Sequence, residues 1–222
     1  MLKVIKDDIA KFLEIIKFKR LKEKNEEQFV DLRLIHVEDG VKQEFLTLDK
    51  VTVDYLYEIA VTCYQNKNNF YIGYTLRDER AGKQEKCSYL STFIVDYDEF
   101  NGEKIKEIED EAVRQQARKN LLEGIKKLDP APTMVVSSGR GYHCYFSLQD
   151  SVKVKNNLEL LREKIEGLNK RSDKLPGDPA MKSLSQPIRL PGTINCKDLD
   201  DLKQCEIIIY NPQREYELED FP

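Results

Sequence analysis

No apolar run in the 222-residue chain exceeds a few residues, far short of the ~20 that span a bilayer. The basic start is not followed by a hydrophobic stretch, so neither a membrane helix nor a signal peptide is expected, and the chain reads as cytoplasmic. Histidine occurs only as His36 and His143, and the five cysteines (Cys63, Cys87, Cys144, Cys196, Cys205) form no CxxC pair. A structural zinc site needs a tighter cluster, so none is expected, and the thiols read as buried side chains of a reducing compartment. An excess of positive charge is missing too: 36 Lys and Arg face 40 Asp and Glu, for a net charge of −4. On charge alone this argues against a nucleic-acid partner, so any such role must rest on local motifs. Internal repeats and low-complexity linkers are absent.

What is present makes a folded chain. Charged residues are 34% and hydrophobic ones 40%, with eleven Tyr and nine Phe, too apolar and aromatic for disorder. The length suits one large domain or two intimately packed modules. Apolar spacing at Ile5, Ile9, Leu13, Ile16 and Phe18 predicts a helix within 2–22, with Asp7 or Asp8 as caps. Its end gathers Lys17, Lys19, Arg20, Lys22 and Lys24, either a solvated helix end or a phosphate-backbone contact. Two strands are expected over 29–48 around an Asp39-Gly40 turn, a helix over 52–65, a strand Phe70–Leu76 and a polar loop Arg77–Lys86. Further on, the pattern predicts a strand Tyr89–Tyr97, a charged helix near 107–127 and a loop at Pro130-Ala131-Pro132. Strands Met134–Ser138 and Tyr142–Leu148, a helix over 152–170 and a last strand Cys205–Tyr210 complete a mixed α+β order.

Three motifs carry chemistry. In Phe93-Ile94-Val95-Asp96-Tyr97-Asp98 strand alternation puts Asp96 and Asp98 on one face, their Cα atoms about 6.6 Å apart. Two like charges so close repel by a few kcal/mol, and a divalent cation between them reverses the sign. In Ser137-Ser138-Gly139-Arg140-Gly141-Tyr142-His143, two glycines flank an arginine at a strand-to-strand turn. Such a turn lets backbone amides approach a phosphate, and Arg140 adds a fork of donors. His143 shares a face with Tyr145, while Tyr142, Cys144 and Phe146 take the other. In the third motif, Gln186 to Lys197, Ile188 and Leu190 anchor one face and leave Arg189 on the other. Asn195 and Lys197 return donors to the same cleft after a Pro191-Gly192 turn. Asp178, eleven residues before Arg189, offers a third carboxylate; Asp173 competes, but Gly177 and the spacing to Arg189 favour Asp178.

Together and in this order the motifs resemble the archaeo-eukaryotic primase superfamily, whose signatures are an acidic D-x-D or D-x-E strand, a strand ending in a histidine motif, and a later Asp with a basic element. The S-G-R-G-x-H and R-x-P-G-T-x-N-x-K strings look most like primase-polymerases of plasmids, phages and CRISPR-associated loci. The likeness covers about 100 residues by motif. Many members carry Ser where this chain has Gly141, and some carry zinc knuckles whose cysteines are absent here. The resemblance implies an N-terminal αβ module, about 1–88, packed on an RRM-like catalytic module, about 89–222. It implies template-directed nucleotidyl transfer by primer synthesis and extension, with Asp96, Asp98 and Asp178 holding two Mg²⁺ or Mn²⁺ ions. Ser138, Gly139, Arg140, His143, Arg189, Asn195 and Lys197 would then grip a dNTP or NTP triphosphate. The partners it implies are a single-stranded DNA template and primer, with a fused or associated helicase, nuclease or helical priming domain. A rolling-circle nuclease would need an H-x-H pair, which the sequence lacks. A non-catalytic nucleic-acid-binding module that keeps the fold is the remaining alternative, and it would be expected to lose carboxylates first.

Overall fold

Helix α1 (Lys6–Ile16) turns its Ile9, Phe12 and Ile16 stripe fully inward. The structure, a computed structural model, describes residues 2–18, 27–38, 40–170 and 175–222. α1 is shorter than its apolar spacing suggests because Lys17 adopts a left-handed conformation (φ 55°) and ends it. Neither Asp7 nor Asp8 caps the helix: the N-cap is Ile5, and buried Asp8 instead accepts from the Ile207 amide at 2.9 Å. Lys17 is not part of a solvated basic end; it is buried, with its ammonium 2.7 Å from Glu215. Lys19, Arg20, Lys22 and Lys24 lie outside the described residues, as does Asp39 of the expected turn.

The first sheet has the order β2-β1-β3-β9, all antiparallel, from β1 (Phe29–His36), β2 (Gly40–Thr47), β3 (Asn69–Ile72) and β9 (Ile188–Arg189). Helix α2 (Val53–Gln65), capped by Thr52 through the Tyr55 amide, packs against α1 and buries Leu56, Ala60 and Cys63. β3 stops four residues short of the expected Leu76. Gly73 lies on Asp31 and its amide bonds the Asp31 carbonyl at 2.7 Å, after which Leu76 bonds Tyr89 of the second sheet. The apolar residues beyond Ile72 therefore cross between sheets rather than extend one. The loop after them is not wholly polar surface either. Arg77 is fully buried against Asp31, which also accepts from Arg33 and Gln43.

The second sheet, order β12-β7-β8-β4, comprises β4 (Tyr89–Tyr97), β7 (Met134–Ser137), β8 (Tyr142–Lys153) and β12 (Glu206–Tyr210). β4 matches its expected bounds residue for residue, because an apolar run closes on the polar side chains of Asp96 and Asp98. Between β4 and β7 run the short hairpin β5 (Glu99–Phe100) and β6 (Glu103–Lys104), then α3 (Glu111–Ile125), capped by Asp110. α4 (Val154–Lys170) follows β8 and buries Leu161, Ile165 and Leu168 beside the sheet. β10 (Ile194–Asn195) and β11 (Lys203–Gln204) form a separate small ribbon. All five cysteines are buried. Among the described residues, no helix is long and apolar enough to cross a membrane.

Candidate active site

Both sheets contribute strand residues to a shared cleft of about 270 Å³. From the second sheet come Asp96 and Asp98 at the end of β4, with His143 on β8 directly opposite Asp96 in register. His143 Nε2 lies 3.7 Å from Asp96 Oδ2. From the first sheet comes Arg189, 5% exposed, on the edge strand β9. Asp178 joins them because its amide donates to the Asp96 carbonyl at 2.8 Å, while its Oδ1 caps the 3₁₀ turn Pro179–Lys182 through Ala180. The three carboxylates named from sequence thus face one cleft. Asp173 lies outside the described residues.

The turn between β7 and β8 is closed on itself. The Ser138 amide donates to the Gly141 carbonyl at 3.0 Å, and Ser138 Oγ accepts from the Gly141 amide at 3.2 Å. Its glycines serve packing as much as approach by a ligand. Gly139 has φ +87°, and a Cβ there would lie 2.3 Å from Lys203 Cβ. A Cβ at Gly141 would meet the Tyr97 carbonyl at 2.6 Å and Asp98 Cβ at 3.0 Å. Arg140, ion-paired with Asp198 at 3.5 Å, keeps Nε and Nη2 buried without a hydrogen-bond partner. Asn195 spends its side chain within the protein: Nδ2 donates to the Ser138 carbonyl at 2.9 Å and Oδ1 accepts from the Lys197 amide at 3.1 Å. Asn195 therefore holds the turn and the Lys197 segment together, and Lys197 reaches the cleft from an exposed position.

Electrostatics follow from this arrangement. Burial, with the Asp98 and Asp178 charges adding, pushes the Asp96 carboxyl up to about 8, although Arg189 and Lys197 pull the other way. Burial and the Arg189 charge push His143 down to about 4, so near neutral pH it is an uncharged donor or acceptor rather than a cation. Asp96 Oδ1 and His143 Nδ1 are buried without a hydrogen-bond partner. An orphaned carboxylate oxygen beside two more carboxylates is the donor set that hard divalent cations take. The residues fit such an ion, yet among the described residues no three His, Cys, Asp or Glu side chains already converge into a metal cluster.

No family model matches the sequence, and neither does any curated protein. Solved structures do match. The catalytic domain of primase RepB′ in complex with initiator DNA aligns over 95% of this chain and 87% of its own, with TM-score 0.60 and 16% identity. The AEP domain of the cyanophage S-2L primase-polymerase aligns over 97% and 95%, with TM-score 0.59 and 14% identity. The chain has the archaeo-eukaryotic primase fold. Within this primase fold, sequence reasoning missed Asn69, Tyr71, Lys106 and Arg118. Lys106 enters the cleft from a 3₁₀ turn whose Ile105 amide bonds the Asp98 carbonyl at 2.9 Å. Arg118 braces the β7–β8 turn by donating to the Gly139 carbonyl and Ser137 Oγ at 3.0 and 3.1 Å. A signal for Asn69 and Tyr71 existed: they alternate with apolar Phe70 and Ile72, which marks the polar face of a strand.

Proposed function

We propose that this chain is the catalytic core of a primase-polymerase, which joins nucleotides on a single-stranded DNA template both without and from a primer. The observation that carries this reading is a three-carboxylate set facing Arg189, Arg140 and Lys197 across one cleft in a primase fold. Asp96, Asp98 and Asp178 would hold two Mg²⁺ or Mn²⁺ ions. When bound, such ions supply a lowered pKa at the attacking 3′-hydroxyl and charge stabilisation at the α-phosphate. Arg189 and Arg140 bind triphosphate oxygens through forked donors, and Lys197 adds a point charge at the rim. His143, uncharged, gives directional hydrogen bonding without adding repulsion to the ions' site. Asn195 keeps the turn that carries Arg140 in register with Lys197 by tying the Ser138 carbonyl to the Lys197 amide. The orientation these groups impose on the α-phosphate is the protein's own share of catalysis. The S-G-R-G-x-H string points to the plasmid, phage and CRISPR-associated branch, where a helicase, nuclease or helical priming partner is expected.

The test is incubation with a single-stranded circular template, labelled dNTPs or NTPs and each metal in turn, with no primer. Labelled oligomers are expected with Mg²⁺ or Mn²⁺ and none after Asp96→Ala or Asp98→Ala. Robust synthesis by the double variant would sink the assignment of the carboxylates. Template binding with no synthesis under any condition would leave a nucleic-acid-binding module that only keeps the fold.

A further inference from the structure

Arg189 is not held by its own strand. Its Nη1 donates to Asn69 Oδ1, its Nη2 donates to the Tyr71 hydroxyl at 2.8 Å, and its guanidinium lies 4.7 Å from the centre of the Tyr71 ring. Both partners stand on β3, and Tyr71 is the residue paired with Arg189 across the sheet. Asn69 is 3% exposed and bonded at both ends of its amide: Oδ1 also accepts from the Cys196 amide at 2.9 Å, and Nδ2 donates to the Ile35 carbonyl at 3.3 Å. Asn69 therefore fixes both the guanidinium and the backbone between Asn195 and Lys197. Tyr71 differs in one respect. Its oxygen accepts from Arg189, so its O–H must point elsewhere, and the residue lines the cleft.

We propose that Asn69, Tyr71 and Arg189 form one anion-binding unit, in which Asn69 is a positioning residue and Tyr71 both stacks under the guanidinium and donates its O–H to the anion. The ligand class is a polyphosphate chain: a planar guanidinium with a hydroxyl beside it offers donors to adjacent phosphate oxygens. The inference rests on the nucleotide-transfer reading only for the identity of that chain as part of a nucleotide.

The test is calorimetric titration of the full chain with inorganic tripolyphosphate at pH 6.5 without divalent metal, so that no synthesis is involved. The wild-type chain is expected to bind, and Tyr71→Phe, which keeps the ring, to bind roughly 3–10-fold more weakly at an unchanged melting temperature. Asn69→Asp keeps the acceptor but places a buried carboxylate against Arg189, and on the order of a 10-fold or larger loss is expected. If Asn69→Asp does not fold, Tyr71→Leu replaces it and should lose more than Tyr71→Phe, since ring and hydroxyl go together. Wild-type affinity in Tyr71→Phe, or no binding by the wild-type chain, overturns the proposal. A chain that binds tripolyphosphate through these residues yet makes no polymer would sink the nucleotide-transfer reading and leave this unit standing.

Discussion

Among the buried groups that tie the metal-free protein's stability to pH, Asp96 carries a large shift in the cleft, beside His143, pushed down, and, away from it, Asp8, pushed up. Asp96 titrates near 3.8 when unperturbed and near 8 in the fold. Below about pH 4 folded and unfolded chains both hold the proton, so the group costs nothing there. As pH rises the unfolded chain sheds the proton while the folded one keeps it, and stability falls until about pH 8, beyond which the loss is complete. Asp96→Asn removes that loss. In chelator at pH 8 its melting temperature should exceed the wild-type value by roughly 3–6 °C, and near pH 4 the two should coincide. Equal melting temperatures at both pH values would show that Asp96 is not desolvated. The same proton must leave when a cation binds. Adding Mg²⁺ or Mn²⁺ at pH 7, in two buffers with different ionisation heats, should release about one proton per chain, and markedly less from Asp96→Asn.

At the scale of elements, the β7–β8 turn meets the end of β4 so closely that only glycine fits at position 141. Gly141→Ala drives a methyl into the Tyr97 carbonyl and Asp98 Cβ, so it should lower turnover by about tenfold or more while costing only ~1–2 kcal/mol of stability. Gly139→Ala strains a left-handed residue against Lys203, so its main loss should be stability, read from denaturant melts of both variants. If Gly141→Ala keeps full turnover, the turn does not position Asp98. Asp178, bonded through its backbone to Asp96, should matter far more than Asp173: Asp178→Asn is expected to abolish synthesis and Asp173→Asn to spare it. The reverse result would move the third carboxylate. Elements bounded by local chemistry were legible in the sequence: β4 closes on its own aspartates and α2 occupies nearly the expected 52–65, whereas α3 starts later than the expected 107, at the Asp110 cap, because a 3₁₀ turn takes Ile105–Glu107. The cleft's acidic side and its arginines were legible for the same reason, because motif spacing within a strand or turn fixes a face. Contacts far apart in the chain were not. Nothing local marks Asp31 as the partner of Arg77, or Asn69 and Tyr71 as the partners of Arg189 on a two-residue strand, 120 and 118 positions later. The rim of β3 was misread because an apolar crossing between sheets carries the same side chains as a strand.

At the scale of the whole molecule, the cleft exists only because chain start and chain end are sewn into both sheets. The first sheet takes its edge strand from Ile188–Arg189. The Ile5 amide bonds the Gly192 carbonyl at 2.8 Å, and Asp8 bonds Ile207 of the second sheet. Within the second sheet, Thr92 on β4 donates to the Ile15 carbonyl at 3.0 Å, and Phe12 meets the Tyr145 ring edge-on at 6.2 Å. α1 also packs on α2, so one helix is shared by both halves. The stretch 1–88 cannot then complete its own sheet, and 89–222, although it holds all four strands of the second sheet, lacks α1 to cover them, so opening one part exposes apolar surface of the other. Calorimetric unfolding of the chain should therefore give one endotherm whose calorimetric and van't Hoff enthalpies agree. Phe12→Ala, which empties a fully buried site between the halves, should cost ~3–5 kcal/mol and lower that single transition as a unit. A fragment covering 1–88 should lack a cooperative transition altogether. Two resolved endotherms, with only the first moved by Phe12→Ala, would instead mean that Arg189 and the carboxylates sit on independently stable bodies. The cleft geometry would then be set by a hinge, whereas the shared helix and the exchanged strand argue that it is set by the core.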